Sequence, residues 1–165
     1  MVSTVAKSID EGRAVARHLP PAVAPMTGVT RAAWQRLGDA AMEANGFFAP
    51  DYALAAASLA EKPGLLLAHA DGPDRRVIGL LPVLSAWRAL RLPLPALIAH
   101  QAYSPLSVPL LHQDHAEAAA GALIDAAAAA GARLLSLPAM TPAGLCGAVA
   151  GHGAARPAPR PPQSP

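Results

Sequence analysis

The sequence contains few aromatic residues, a single cysteine and little charge. Phe, Trp and Tyr make up 4% of the 165 residues, so aliphatic side chains must build the core. Cys146 lies in the apolar context GLCGAV. One cysteine can form neither an internal disulfide nor a cysteine-based zinc site, so we interpret it as a small buried hydrophobe. A reduced, cytoplasmic setting fits this usage.

Charge of either sign is sparse and unclustered. Charged residues amount to 15% and the net charge is only +2. No run of Lys and Arg follows the pattern that tracks a phosphate backbone, so we expect no nucleic-acid partner.

Apolar runs of the kind that cross membranes are also missing. The N-terminus has no apolar core typical of a signal peptide. The most apolar stretch, residues 77–99, contains Arg88, Arg91 and three prolines. These residues argue against a transmembrane segment, and we interpret the stretch as buried strands.

What is present is a pattern of alternating helices and strands. Thr30 is a candidate N-cap for a helix over residues 30–44, which has Trp34 and Leu37 on its apolar face. Asn45 and Gly46 form a turn, and Pro50 begins a second helix over residues 50–61. Strands are expected at residues 65–70, 77–87, 96–100 and 107–111, with Pro82 implying an edge position or a bulge.

The second half predicts a crossover unit. An alanine-rich helix over residues 114–131 can pack very close to a sheet, and Asp114 and Glu117 have the spacing of a capping box. A strand at residues 132–138 and a short helix at residues 141–151 follow. We expect an α/β fold in which residues 1–28 are loosely structured, residues 29–151 form the domain and residues 152–165 are a disordered Pro/Arg-rich tail.

Several segments resemble one family in the right order. They are WQRLGDAAMEANGFFAPDYALAA from Trp34, VIGLLPV from Val77, YSPLSVPLL from Tyr103 and LLSLPAM from Leu134. Together with the element order, they resemble the N-terminal half of CelD-like (cellulose-biosynthesis-associated) acetyltransferases of the GNAT superfamily. Gly46 stands where that family usually has Pro.

The resemblance implies a GNAT-like mixed sheet flanked by helices and an acetyl transfer from acetyl-CoA. The acceptor is unknown, and the implied setting is exopolysaccharide or cellulose biosynthesis. Family members are about twice as long, so the fold is expected to be incomplete and the isolated chain inactive. A truncated gene, a frameshift or a fragment would each explain the shorter length, and the abrupt change of composition at the C-terminus favours a frameshift-like end.

The cofactor loop of the family is not evident in this chain. GNAT proteins hold the pyrophosphate on a glycine-containing loop at a helix N-terminus. The corresponding junction, PLLHQDHAEAA, has no glycine, and Asp114 and Glu117 add negative charge there. We therefore assign no residue to acetyl-CoA, and we expect the cofactor not to bind this chain in the usual way.

Tyr103 and Ser104 are the candidate substrate-binding residues. A tyrosine can act as a general acid beside a leaving thiolate, although Ser104 and Pro105 also make a good structural turn. No catalytic residue is assigned. The three histidines His100, His112 and His115 lack a metal-ligand spacing, so we assign them capping and surface roles and expect no metal. Trp34 and Trp87 are expected to be core or half-buried anchors.

The alternative function is non-catalytic. The chain could serve as a scaffold half that binds a second GNAT-like half, or a second copy of itself, through unpaired strands. Acetyl-CoA binding separates the two alternatives.

Overall fold

The computed structural model describes residues 23–59, 62–100 and 106–138. Within these ranges, a single mixed and open sheet of six strands is flanked by four α-helices, which confirms the α/β class. Most of the expected N-terminal segment, the short helix at residues 141–151, the tail and Cys146 lie outside the described residues.

The elements follow one another in nearly the predicted order. They are β1 (Ala24–Pro25), α1 (Arg31–Asp39), α2 (Pro50–Leu59), β2 (Gly64–His69), β3 (Val77–Ser85), α3 (Ala86–Leu90), β4 (Ala96–Ala99), β5 (Leu110–Leu111), α4 (Ala116–Ala129) and β6 (Leu134–Ser136). Single turns of 3₁₀-helix lie at Gly46–Phe48 and Gln113–His115.

The sheet is antiparallel over most of its width and parallel at one side. Its order is β1-β2-β3-β4-β6, and β5 pairs with β3. Strand β2 occupies one edge of β3, so β4 and β5 must share the other edge. Strand β6 runs parallel to β4, and the chain reaches it through β5 and α4. This crossover is the unit that the alternation in the second half predicts.

Helix α1 begins as predicted but ends earlier. The amide of Ala33 donates to Oγ1 of Thr30 over 3.2 Å, which confirms the N-cap. The helix stops at Asp39 instead of reaching Ala44, because the next residues pair with β5. Ala41 forms a β-bridge with His112, and the amide of Met42 donates to the carbonyl of Leu111 over 2.8 Å.

Strand β3 is central, so the prediction of an edge position or a bulge at Pro82 was wrong. The amide of His100 donates to the carbonyl of Pro82 over 2.8 Å, and the N–H and C=O of one strand residue point the same way. The N–H that proline lacks would therefore face β4, just where β4 ends. No ladder bond of β2 is lost, which is why a proline is tolerated inside this strand.

Helix α4 packs very close to the sheet, as its alanines predict. A Cβ added at Gly79 of β3 would lie 3.0 Å from Cβ of Ala68 and 3.2 Å from Cβ of Ala119. Gly79 therefore allows the backbones of β2, β3 and α4 to approach one another. Pro82, which points to the opposite face of β3, lines a small gap with residues of α2. The two helix layers thus cover opposite faces of the sheet.

The stretch from residue 77 to residue 99 is only partly made of buried strands. Helix α3 interrupts it, and residues 90–95 are exposed. Trp87 is 54% exposed, so its assignment as a core or half-buried anchor was wrong, whereas Trp34 is fully buried. In the described part of the chain, no helix is long and apolar enough to cross a membrane.

Candidate functional site

The sheet contains a fork where β4 ends and β5 begins. His100 still pairs with Pro82, and Leu110 pairs with Leu80, so β4 and β5 are two segments along one edge of β3. Strand β4 ends at Ala99, and β5 begins at Leu110. In the sequence, Tyr103 and Ser104 lie between these two strand segments. Tyr103 and Ser104 themselves lie outside the described residues.

The return of the chain to the sheet is fixed by the corner between α1 and α2. Nδ2 of Asn45 donates to the carbonyl of Val108 over 3.0 Å, and its Oδ1 accepts from the amide of Phe47 over 3.1 Å. Nε1 of Trp34 donates to the carbonyl of Phe48 over 2.8 Å. Phe48 is almost fully buried and Phe47 is half-buried, so these two rings fill the corner.

Sequence reasoning recognised Asn45 only as a turn residue. Its side chain is 6% exposed and satisfies a backbone carbonyl 63 residues further along the chain. A local pattern carries no signal of such a long-range bond. Asn45 and Val108 connect the corner to the fork, so both belong to the described framework of the candidate site.

An apolar cleft of about 250 Å³ opens beside this fork, under α4. Its walls are Leu81, Pro109, Ala120, Leu123, Ile124, Leu135 and Leu137. Strand β6 pairs with β4 only up to Ile98 and Ser136, so the two parallel strands separate at their carboxyl ends. Ligands of α/β sheets bind at such ends. The described side chains that line this cleft carry no titratable group, so they suit an apolar ligand and supply no acid or base themselves.

The start of α4 differs from the prediction. Asp114 was expected to cap the helix, but α4 begins at Ala116, and its N-cap residue His115 makes no side-chain cap bond. Asp114 lies inside the preceding 3₁₀ turn. Nδ1 of His112 accepts from the amide of Asp114 over 3.3 Å, which is the capping role expected for a histidine. Because the 3₁₀ turn occupies Gln113–His115, the N-cap of α4 is His115, and Asp114 and Glu117 do not occupy the two positions of a capping box.

Two histidines and one arginine lie close together around this 3₁₀ turn. The rings of His112 and His115 lie 5.2 Å apart, and Nη2 of Arg76 is 3.4 Å from Nε2 of His115. Within residues 23–59, 62–100 and 106–138, no three His, Cys, Asp or Glu side chains are grouped to hold a metal. Burial lowers the pKa of His69, and the positive charge of Arg75 lowers it further.

A second and more polar cleft lies between α1 and the turn that joins β2 to β3. Its volume is about 570 Å³. It is lined by Ala33, Arg36, Leu37, Asp39, Ala40, Asp74, Arg75, Arg76, Val77 and His112. The sequence analysis did not find this cleft, because its arginines come from segments about 40 residues apart.

Fold and clefts together define a class of protein: a mixed α/β domain with an apolar cleft at the ends of its parallel strands. Comparisons with protein-family models, curated proteins and solved structures each give no match for this chain. A closer assignment therefore depends on the residues themselves.

Proposed function

We propose that this chain is the N-terminal, GNAT-like half of a CelD-like acetyltransferase. The observation that carries the proposal is the order of its main elements. From α1 to β6 they run helix, helix, three strands, helix and strand, if β5 is counted as the continuation of β4. This is the order that the resemblance implies, and the short helix α3 is an addition to it.

The activity that follows from the proposal is the transfer of an acetyl group from acetyl-CoA to an acceptor. Exopolysaccharide or cellulose biosynthesis in the cytoplasm is the implied setting. The apolar cleft under α4 supports a binding role for this half, because it lies where the parallel strands separate. Tyr103 and Ser104 remain the proposed contacts to the acceptor.

We further propose that this half does not hold acetyl-CoA by its phosphates. One reason from the sequence, that Asp114 caps α4 and occupies its free amides, no longer holds, because α4 has no side-chain cap bond. Two reasons remain. The junction before α4 has no glycine, and the carboxylates of Asp114 and Glu117 line the shallow cleft at its start. Their charges oppose an anion at the positive end of the helix.

Calorimetric titration of acetyl-CoA into the purified chain tests this proposal. The expected result is no saturable binding at millimolar cofactor. An Asp114→Asn/Glu117→Gln variant should gain weak binding of acetyl-CoA, because it removes both carboxylates from the cleft at the start of α4. Asp125→Asn, an exposed change later in the same helix, is the matched control and should bind no better than the wild type. Micromolar binding to the wild type (about −8 kcal/mol) would overturn the proposal.

A non-catalytic, partner-binding role is the second candidate, and an apolar strip favours it. Leu90, Leu94 and Leu134 are each more than half exposed, as is Trp87. Backbone pairing holds their segments together: Ala96 is in register with Leu134, and the amide of Arg133 donates to the carbonyl of Pro95 over 2.7 Å. This strip runs beside β6, which has no outer strand partner among the described residues. Exposed apolar surface of this kind marks interaction sites.

Light scattering coupled to size-exclusion chromatography tests this second candidate. The wild type should show a mass that rises with concentration, and Leu94→Ser/Leu134→Ser should remain monomeric. Met42→Ser removes an apolar side chain of similar exposure away from the strip, so it should behave as the wild type does. A wild type that stays monomeric at high concentration would exclude self-association through the strip.

A further inference from the structure

Three arginines line the polar cleft between α1 and the β2–β3 turn. Arg36 comes from α1, and Arg75 and Arg76 come from the turn. His112, at the end of β5, forms another part of the wall, and its side chain is 13% exposed. The chain has 13 basic residues among 165, so three in one cleft is a local concentration of positive charge.

The arginines are not neutralised by ion pairs with described residues. Neither Arg36 nor Arg75 lies within 4.0 Å of a described carboxylate, whereas Arg31 pairs with Asp51 at 2.7 Å. The one hydrogen-bond partner of the Arg76 guanidinium among the described residues is the ring of His115, with Nη2 at 3.4 Å from Nε2. The guanidinium donors in the cleft thus retain hydrogen-bonding capacity for an incoming group.

Acidic groups in the cleft are fewer than basic ones. Asp39 and Asp74 line it, and Oδ1 of Asp39 already accepts from Nε2 of Gln35 over 2.9 Å. His112 can add to the donors: its Nδ1 accepts from the amide of Asp114, so in the neutral ring the proton resides on Nε2. The pKa of His69 is lowered first by burial and then by the positive charge of Arg75, so Arg75 acts on a neighbouring side chain as a charged group.

The backbone at Arg75 is also unusual. Its φ is +39°, in the left-handed region that side chains other than Gly, Asn and Asp rarely adopt. The neighbouring Gly72 takes up a positive φ in the same turn without such a cost. The turn therefore keeps an arginine at a position where glycine would be the easier choice.

We propose that this cleft binds the phosphate group of a small soluble molecule. Planar guanidinium groups match phosphate oxygens through paired hydrogen bonds, and three arginines from two segments line this cleft. A cleft of about 570 Å³ has the size of an ordinary small-molecule site. The proposal does not depend on the acetyltransferase assignment, because it uses neither α4 nor the apolar cleft.

Titration with inorganic pyrophosphate at low ionic strength, followed by NMR of the backbone amides, tests this proposal. The expected result is saturable binding with shifts centred on residues 36, 75, 76 and 112. Arg36→Gln/Arg75→Gln should weaken binding at least tenfold. Both residues are exposed, so the variant is expected to fold, and its amide spectrum checks this directly.

Arg133→Gln is the matched control, because Arg133 is an exposed arginine that does not line the cleft. It should bind pyrophosphate as the wild type does. Absence of saturable binding, or an equal loss in the control and the double variant, would overturn the proposal. Titration with acetyl-CoA separates this proposal from the proposed function. If acetyl-CoA binds the wild type and the double variant abolishes that binding, the phosphate site is supported, and the proposal that this half does not hold acetyl-CoA by its phosphates is refuted.

Discussion

At the scale of single residues, buried polar groups determine how the fork is held. Asn45 illustrates this, because one amide side chain satisfies a carbonyl from a distant segment and an amide from its own turn. A buried carbonyl that loses its donor keeps the cost of desolvation. Asn45 therefore helps to hold the candidate site together, although its place in a turn indicates only a local role.

Asn45→Ala should therefore lower the free energy of unfolding by about 1–3 kcal/mol. The variant leaves the carbonyl of Val108 without its donor. Urea denaturation measures the change. Gln35→Ala, which removes an exposed side-chain bond to Asp39, is the control and should change stability by less than about 0.5 kcal/mol. Equal effects of the two substitutions would contradict the role given to Asn45.

His69 predicts a pH dependence of stability. Its pKa in the folded protein is lowered, first by burial and then by Arg75. The unfolded chain therefore binds a proton more readily, and the free energy of unfolding should fall as the pH drops below 6.5, the ordinary pKa of a histidine. His69→Gln should reduce this fall between pH 7 and pH 5. Chemical denaturation at several pH values measures it, and an unchanged profile would contradict the assignment.

At the scale of elements, small residues decide how closely a helix approaches a strand. Gly79 lies where β3, β2 and α4 meet, and a methyl group there would meet Cβ atoms at 3.0 and 3.2 Å. Both Cβ atoms belong to alanines, whose side chains cannot rotate aside, so the backbone itself must move. By contrast, a Cβ at Gly38 in α1 would have no neighbour within 4 Å among the described residues.

The two glycines form a matched pair of substitutions. Gly79→Ala should destabilise the protein by about 1–3 kcal/mol, because α4 or β2 must shift. Gly38→Ala should stabilise it by about 0.5–1 kcal/mol through helix propensity. Thermal and urea unfolding of both variants measure the difference. A stabilising Gly79→Ala would show that α4 lies further from the sheet than described.

At the scale of the whole molecule, the sheet has a well-covered centre and one open side, at β6, that no described strand covers. Strands β2 and β3 share an extended ladder with helices on both faces, whereas β6 pairs over three residues. Most of the buried leucines lie in β2, β3 and β5. The stability of the domain should therefore be concentrated in the β2–β3 ladder.

Native-state hydrogen exchange measures this distribution. Amides of β2 and β3 should exchange slowest, near the free energy of global unfolding, and those of β6 should exchange much faster. Equal protection of β6 and β3 would mean that another segment or a second copy covers the open side in solution. That outcome would favour the partner-binding role.

The sequence by itself determined the class and the order of elements. Thr30, Pro50 and the alanine-rich stretch of α4 act through local geometry, so helix starts and the close helix–sheet contact could be predicted. The GNAT-like assignment and the roles of Tyr103 and Ser104 stay predictions. Tertiary structure alone decided the rest, since pairing between distant segments ended α1, allowed Pro82 in a central strand and exposed Trp87. It also assembled the arginine cleft, because proximity across the fold is not encoded in any local pattern.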